Sequence, residues 1–293
     1  MNADPRTPLS EKRRAFLKRF RLLAAPSMIM GGGATYGYSS LIERHRVTVD
    51  HHDVRLALGS RAPAKFRAVS LTDFHFDPLF EEEYLAEVVR RTNALKPDII
   101  MLTGDYISST SRRFEEFGQV VAGFQSACGV FACLGNHDHW HQPSRIQNIL
   151  VKQGIDVLVN RHTRVPCAGG EVVLTGLQSV WGGRPNWAVA SQGLKPDDRT
   201  LMLVHEPDYA SHLAGEKQIV FQASGHTHGG QIRLPGIGAL RLPSWGVKFQ
   251  AGFYDVDNIK LYVNRGIGTI QYHVRFMCPP EIACFDVVNT DVV

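Results

Sequence analysis

The 293-residue chain has no CxxC pair, no internal repeat and no low-complexity linker, which argues against a zinc knuckle, a solenoid and a disordered tether. Its five cysteines are odd in number and irregularly spaced, so they read as buried apolar side chains rather than a disulfide framework. Beyond its first segment the chain also lacks an excess of charge. Residues 1 to 21 hold seven Lys/Arg against Asp4 and Glu11, a net of +5, so the overall +4 leaves −1 for everything that follows. A near-neutral body has no electrostatic footprint for nucleic acid, and no nucleic-acid partner is expected. With 44% hydrophobic and 20% charged residues, the chain can bury an ample core as one large domain or two small ones.

The basic stretch EKRRAFLKRF precedes 21 residues without a formal charge, from Leu22 to Ile42. Arg13 and Arg14, followed by Phe16, Leu17 and Lys18, resemble a twin-arginine signal, the route by which bacteria export folded proteins. This reading places the body outside the cytoplasm, at the outer face of the bacterial inner membrane, with membrane association through the N-terminus. A basic amphipathic helix on the cytoplasmic face is the competing reading. Glycine, serine and tyrosine dilute the apolar run, so removal of the segment and its retention as an anchor both stay open. The expected organisation is a signal or anchor over 1–45, a linker over 46–63 and a folded domain over 64–293.

From residue 64 onward, apolar strands alternate with amphipathic helices. KFRAVSLTDFH, PDIIMLTGD, GVFACLGNHD, TLMLVHEPD and KQIVFQASGHTH each run from apolar into polar, reactive residues, and EVVLTGL is a further strand. Between the first two, Leu85, Val88, Val89, Thr92 and Leu95 fall at helical spacing, with acids early and cations late. Helices are also expected over 112–127, 143–153 and 207–214. After residue 231 the pattern turns to hairpins near 237–263 and a last strand, EIACFDVV.

Each strand end is ambiguous alone. Asp73 and His75 leave the same face if their strand continues. Gly104 permits a tight turn before Asp105, whose carboxylate can bridge two cations. Asn136 offers an amide oxygen, His137 an imidazole, and Asp138 a carboxylate able to orient that imidazole. His205 follows four apolar residues, and His226 and His228 lie in a glycine-rich turn. Taken together, the residue types at five strand ends make two complete coordination spheres of oxygen and imidazole donors without thiolate. Such donors suit Mn²⁺, Fe, Zn²⁺ or Mg²⁺, and two cations about 3.5–4 Å apart can clamp a phosphoryl group and make hydroxide available near neutral pH.

DFH, GD, GNHD, the isolated His205 and GHTH, in this order, resemble the motif series of the calcineurin-like metallophosphoesterases over Lys65 to Phe285. GHTHGGQIRLPG, VNRGIG and PPEI resemble further the branch of bacterial exported or membrane-associated phosphodiesterases, some of whose relatives act on UDP-diacylglucosamine in lipid A assembly. The resemblance implies an α/β fold, a four-layer α-β-β-α sandwich of two mixed β-sheets flanked by helices. It implies one metal on Asp73, His75, Asp105 and His228 and another on Asp105, Asn136, His205 and His226, with manganese favoured. His226 and His228 then diverge from one loop, and Gly225, Gly229 and Gly230 let the backbone come close. It also implies His137 as proton donor to the leaving oxygen, oriented by Asp138, with a metal-bridging hydroxide as nucleophile.

The expected substrate is a small phosphodiester or, as the alternative, a nucleotide-lipid pyrophosphate of the UDP-2,3-diacylglucosamine type, which would place the chain in lipid metabolism. A non-catalytic metal-binding module should have lost part of this set. Trp181, Arg184, Trp187, Trp245 and Phe249 could line an apolar approach or pack in the core. Arg265 and Arg275 could hold a diphosphate, or simply face solvent.

Overall fold

In the computed structural model, residues 32–77, 79, 82–108 and 113–292 are described. Arg13, Arg14 and the start of the uncharged run lie outside them. Two six-stranded sheets face each other. The first has the order β1 (Thr48–Leu56), β14 (Glu281–Asn289), β2 (Lys65–Leu71), β3 (Ile99–Leu102), β4 (Gly129–Ala132), β5 (Asp156–Val157). The second runs β12 (Gly252–Val256), β13 (Ile259–Val263), β9 (Ile219–Ser224), β8 (Thr200–Leu203), β7 (Gly170–Gly176), β6 (Arg161–Cys167). A small hairpin pairs β10 (Arg233–Leu234) with β11 (Gly238–Ala239).

Period-two alternation explains the layering. In β3, Ile100 and Leu102 join the cluster under the helices, whereas Ile99 and Met101 point into the seam between the sheets. In β8, Leu201 and Leu203 enter that same seam and Met202 faces the outer side of the second sheet. Helices α1 (Glu82–Ala94), α2 (Phe114–Val121) and α4 (Pro143–Lys152) cover the first sheet with Val88, Phe117 and Ile149. In α1, Leu85, Val88, Val89 and Thr92 are buried as their spacing predicts, and Leu95 just beyond it is partly buried. The second sheet is covered more thinly, by a 3₁₀ turn over Pro207–His212 and the short α5 (Trp187–Ala190). The two-sheet sandwich flanked by helices is thus the fold the chain adopts.

Two expectations fail. Residues 46–63 are not a linker, because Thr48–Leu56 pair in parallel along the whole of β14 and extend the first sheet. The strand escapes notice in sequence because Asp50, His51, His52 and Asp53 dominate an edge whose outer face is wet; only Val54 and Leu56 within it are fully buried. The helical residues 32–45 likewise belong to the body, with Ser39 and Glu43 buried. Second, Cys128 and Cys167 form a disulfide that joins the start of β4 to the end of β6, one sheet to the other. Sheet apposition brings the pair together, and their separation of 39 residues gives no local clue. Closing a loop of that size contributes about 2–4 kcal/mol. Cys133, Cys278 and Cys284 are buried and free, as expected.

Candidate metal centre

Both sheets deliver side chains to one place from the C-terminal ends of parallel strands, the usual site of ligand binding in α/β architectures. Asp73 and His75 follow β2, Asp105 follows β3, and Asn136 opens α3 (Asn136–His141) after β4. From the second sheet, His205 follows β8, and His226 and His228 follow β9.

The backbone there is unusual. Asp73, His75, Asp105, His226 and His228 all have positive φ, from 45° to 72°. Left-handed conformations are uncommon for residues other than glycine and persist where the surroundings impose them, characteristically at functional sites. Asp73 and His75 therefore do not converge by continuing a strand, since β2 ends at Leu71. They converge because the loops after β2 and β3 remain zipped, with Asp73 N–H donating to Gly104 O (2.9 Å) and His75 N–H to Asp105 O (3.0 Å).

Each carboxylate is divided between two tasks. Asp73 Oδ2 accepts the His226 N–H at 2.9 Å, while Oδ1 points inward, 3.2 Å from His228 Nε2. Asp105 Oδ1 accepts the His137 N–H at 2.9 Å, while Oδ2 lies 3.1 Å from His205 Nε2 and 3.5 Å from His75 Nε2. The second ring nitrogens are partly fixed. His205 Nδ1 donates to Thr103 O (2.7 Å), and His226 Nε2 donates to Ser244 O (2.9 Å), which leaves His226 Nδ1 at 2.9 Å from Asn136 Oδ1.

What remains inside is a set of buried atoms without hydrogen-bond partners, including Asp73 Oδ1, His75 Nε2 and His205 Nε2. Leaving such atoms unpaired costs about 1–3 kcal/mol each, and here they converge, which is how a cation site differs from a packing defect. Three overlapping trios have donor atoms within 4.8 Å of one another: Asp73, His75 and His228; His75, Asp105 and His137; Asp105, His205 and His226. The donor set fits divalent cations.

Electrostatics agree. Burial opposes ionisation of Asp105, but His205 beside it outweighs that and holds the carboxyl well below its ordinary value. Burial lowers the affinity of His75, His226 and His137 for protons, leaving lone pairs free to ligate. His205 is the exception. Burial would lower it too, yet Asp105 and Asp73 outweigh that and hold its proton affinity well above the ordinary value.

Close packing is imposed by small residues at Gly135 and Gly225, where a Cβ would run into Asp105 Oδ1 and Asp73 Oδ2 respectively. Gly229 and Gly230 do something else, because a Cβ on them would meet Cys278, Arg265 and Ala239 away from the centre.

Asp138 is not bonded to the His137 ring. It accepts the N–H groups of Gly135 (2.8 Å), Asp105 (2.8 Å) and Tyr106 (2.9 Å), so it organises the loops that present Asp105 and Asn136. One residue of helix separates adjacent side chains by about 100°, too far for Asp138 to reach its neighbour's imidazole. The His137 ring lies instead 4.8 Å from that of His75 and 4.9 Å from that of Trp140, with Nδ1 unpaired.

A cavity of about 500 Å³ opens beside the centre, lined by His137, Trp140, Trp181, Leu240, Arg241 and Tyr272 among others. Of the aromatics expected to line an approach, Trp181 does so. Phe249 and Trp187 pack on the outer face of the second sheet, and Trp245 contacts Tyr209 and His212. Trp140 is the wall missed in sequence; its signal was the spacing of three from His137 on a helical turn. Neither candidate diphosphate ligand is available. Arg275 is fully buried and donates to the carbonyls of Arg265, Gly266, Gly268 and Cys278, while Arg265 is held by Asp50 (2.8 Å) and Glu281 (3.3 Å). Arg184 is exposed and lies outside the cavity lining.

The profile of the calcineurin-like phosphoesterases matches residues 66–230. An uncharacterized metallophosphoesterase of Bacillus subtilis, YkuE, is 31% identical over 284 residues, covering 95% of this chain and 98% of that protein. The phosphodiesterase YaeI of Escherichia coli is 28% identical over 276 residues, 93% of this chain and 100% of that one. Among solved structures, TT1561 of Thermus thermophilus aligns with a TM-score of 0.47 at 13% identity, over 69% of this chain and 90% of that chain.

Proposed function

The chain belongs to the calcineurin-like phosphoesterases, a family of metal-dependent hydrolases, and on that premise we propose that it cleaves phosphodiesters at a two-cation centre. Asp73, His75, Asp105 and His228 would hold one cation, Asp105, Asn136, His205 and His226 the other, with manganese the favoured metal. When bound, such cations offset charge on phosphoryl oxygens and acidify a water. The chain's own residues supply the rest. The buried carboxylates are fixed by backbone N–H groups before substrate arrives, His137 reaches the same pocket with an unpaired Nδ1 and would protonate the leaving oxygen, and Trp140 and Trp181 wall it on one side.

The observation that carries this reading is the convergence of inward-facing, unpartnered donor atoms from both sheets beside an apolar-walled cavity that Asp105, Asn136, His137, His226 and His228 line. A diester fits that wall better than a monoester, because its second ester group can lie against the tryptophans and it brings less charge to a cavity where Arg241 is the one lining cation among the described residues. A nucleotide-lipid pyrophosphate of the UDP-2,3-diacylglucosamine type is the second reading, favoured by the same wall. With manganese, turnover of a bis-aryl phosphate should exceed that of the mono-aryl phosphate by about tenfold or more, the scale of one lost apolar contact surface. Faster hydrolysis of the monoester contradicts the diester assignment, and UDP-diacylglucosamine outrunning both selects the second reading.

We also infer an extracytoplasmic location. Arg13 and Arg14 before the uncharged run support it, as does the disulfide, since such bonds persist in oxidising compartments. Replacing both arginines with lysine should trap the protein inside with Cys128 and Cys167 reduced, which alkylation followed by mass measurement reads directly. Unchanged oxidation and fractionation would count against export by this route.

A further inference from the structure

Apolar side chains gather where the cavity opens. Half of the sixteen large hydrophobic residues exposed among the described residues fall in three short segments, 32–46, 231–242 and 267–279. Leu41 is 71% exposed, Ile237 71% and Tyr272 68%; Ile42, Leu240 and Met277 are exposed as well. Single exposed hydrophobics are ordinary, but clusters of them mark an interaction surface.

The segments are continuous in space with one another and with the cavity. Arg275 N–H donates to Ser39 O (3.0 Å), and Cys278 N–H to the Glu43 carboxylate (2.7 Å), so residues 39–43 sit on the 275–278 loop. That loop pairs with the next segment, through Phe276 N–H to Gln231 O (3.0 Å) and Arg233 N–H to Phe276 O (2.9 Å). The Gln231 side chain, in turn, donates to Ile270 O (3.1 Å) and Tyr272 O (2.9 Å), tying together two walls of the cavity.

Charge in these segments has one sign. They carry Arg44, Arg46, Arg233 and Arg241 beside the buried Arg275, and their one acid, Glu43, is buried and engaged by Cys278 N–H. The segment that leads into this surface, residues 22–31, has no charge, and it follows seven basic residues. No described helix is long and apolar enough to cross a membrane.

We propose that this rim docks on an anionic lipid bilayer, and that the centre takes phosphodiesters whose apolar part stays in that bilayer while the phosphoryl group reaches Asp105 and His137. Apolar side chains between arginines are the composition that lies at a membrane interface, hydrophobic burial and attraction to anionic headgroups acting together. The substrate class rests on the hydrolase reading above; the docking does not.

The test uses the full chain and vesicles of phosphatidylcholine and phosphatidylglycerol containing nitroxide-labelled lipid, which quenches Trp140 and Trp181 if the mouth approaches the bilayer. Ile237→Glu with Met277→Glu changes two exposed side chains that do not line the cavity. The wild type should be quenched, and the double variant should need about tenfold more lipid for half-maximal quenching, as two lost insertions and two repelled charges require. Turnover of a soluble bis-aryl phosphate should stay at the wild-type level, showing that the variant is folded, while turnover of a phosphodiester carried on a vesicle lipid falls. Wild-type quenching or wild-type turnover of the lipid-borne diester in the double variant overturns the proposal, as does a wild type that lipid does not quench. A wild type quenched by lipid yet inert on every phosphodiester would sink the hydrolase reading and leave the docking standing.

Discussion

His137→Ala is expected to keep the metal content of the wild type and to lower kcat by about 10² to 10⁴ on a diester with an alkoxide leaving group, the range for removing a general acid. Two structural facts bear on this. The His137 backbone, not its side chain, supports Asp105, through an N–H that alanine retains. The ring contributes a nitrogen near His75 and Asp105 whose Nδ1 has no partner, so its loss removes no structural hydrogen bond. A nitrophenolate leaves without needing a proton, so the defect should shrink with that substrate. Burial holds the His137 ring below its ordinary proton affinity, so the acid form must be recovered by the approach of an anionic phosphoryl group. Kinetics on paired substrates, with elemental analysis of the same sample, check the claim. Loss of an ion would make His137 a ligand instead, and equal slowing of both substrates a phosphate-binding group.

Asp105→Asn should be more damaging still. Asp105 Oδ2 is the inward oxygen nearest both His75 and His205, and Asp105 belongs to two of the three donor trios. Asparagine keeps Oδ1 as acceptor for the His137 N–H, so the loops should survive, but the negative charge that the proposed centre shares between two cations is gone. Activity should fall by at least about 10³, because removing a single electrostatic stabiliser already costs about 10² to 10³. Both ions should be lost in dialysis, whereas His226→Ala, which removes a donor from one trio, should lose one. Circular dichroism like that of the wild type together with two ions retained in Asp105→Asn would show that the carboxylate is not shared.

Much of the centre was legible because strand ends announce themselves. Apolar runs such as IIML and TLML stop shortly before Asp105 and His205, and a short continuous apolar run predicts a strand buried on both faces. The seven expected ligands do come together. The roles of neighbouring residues were less legible, because they depend on where a side chain turns. Asp138 follows His137 in sequence yet serves three backbone N–H groups, since a helical turn sends adjacent side chains apart. The convergence of Asp73 and His75 depends on left-handed backbone that no alternation rule foresees. Cys128 pairs with Cys167 only because two sheets stack. β1 is polar enough at an edge to pass for a linker, and its partner β14 lies at the far end of the chain. Arg275 looked like a surface cation and is instead a buried donor to four residues' carbonyls, a role set by a loop fold rather than by composition.

In the proposed centre, the shared carboxylate of Asp105 joins two cation sites into a single hydrolytic unit. Titrating metal-free protein with Mn²⁺ while following bound metal and turnover of a bis-aryl phosphate on the same samples tests it most directly. About two ions per chain should bind at saturation, with turnover appearing only as the second is bound. Saturation at one ion per chain with full turnover would contradict it.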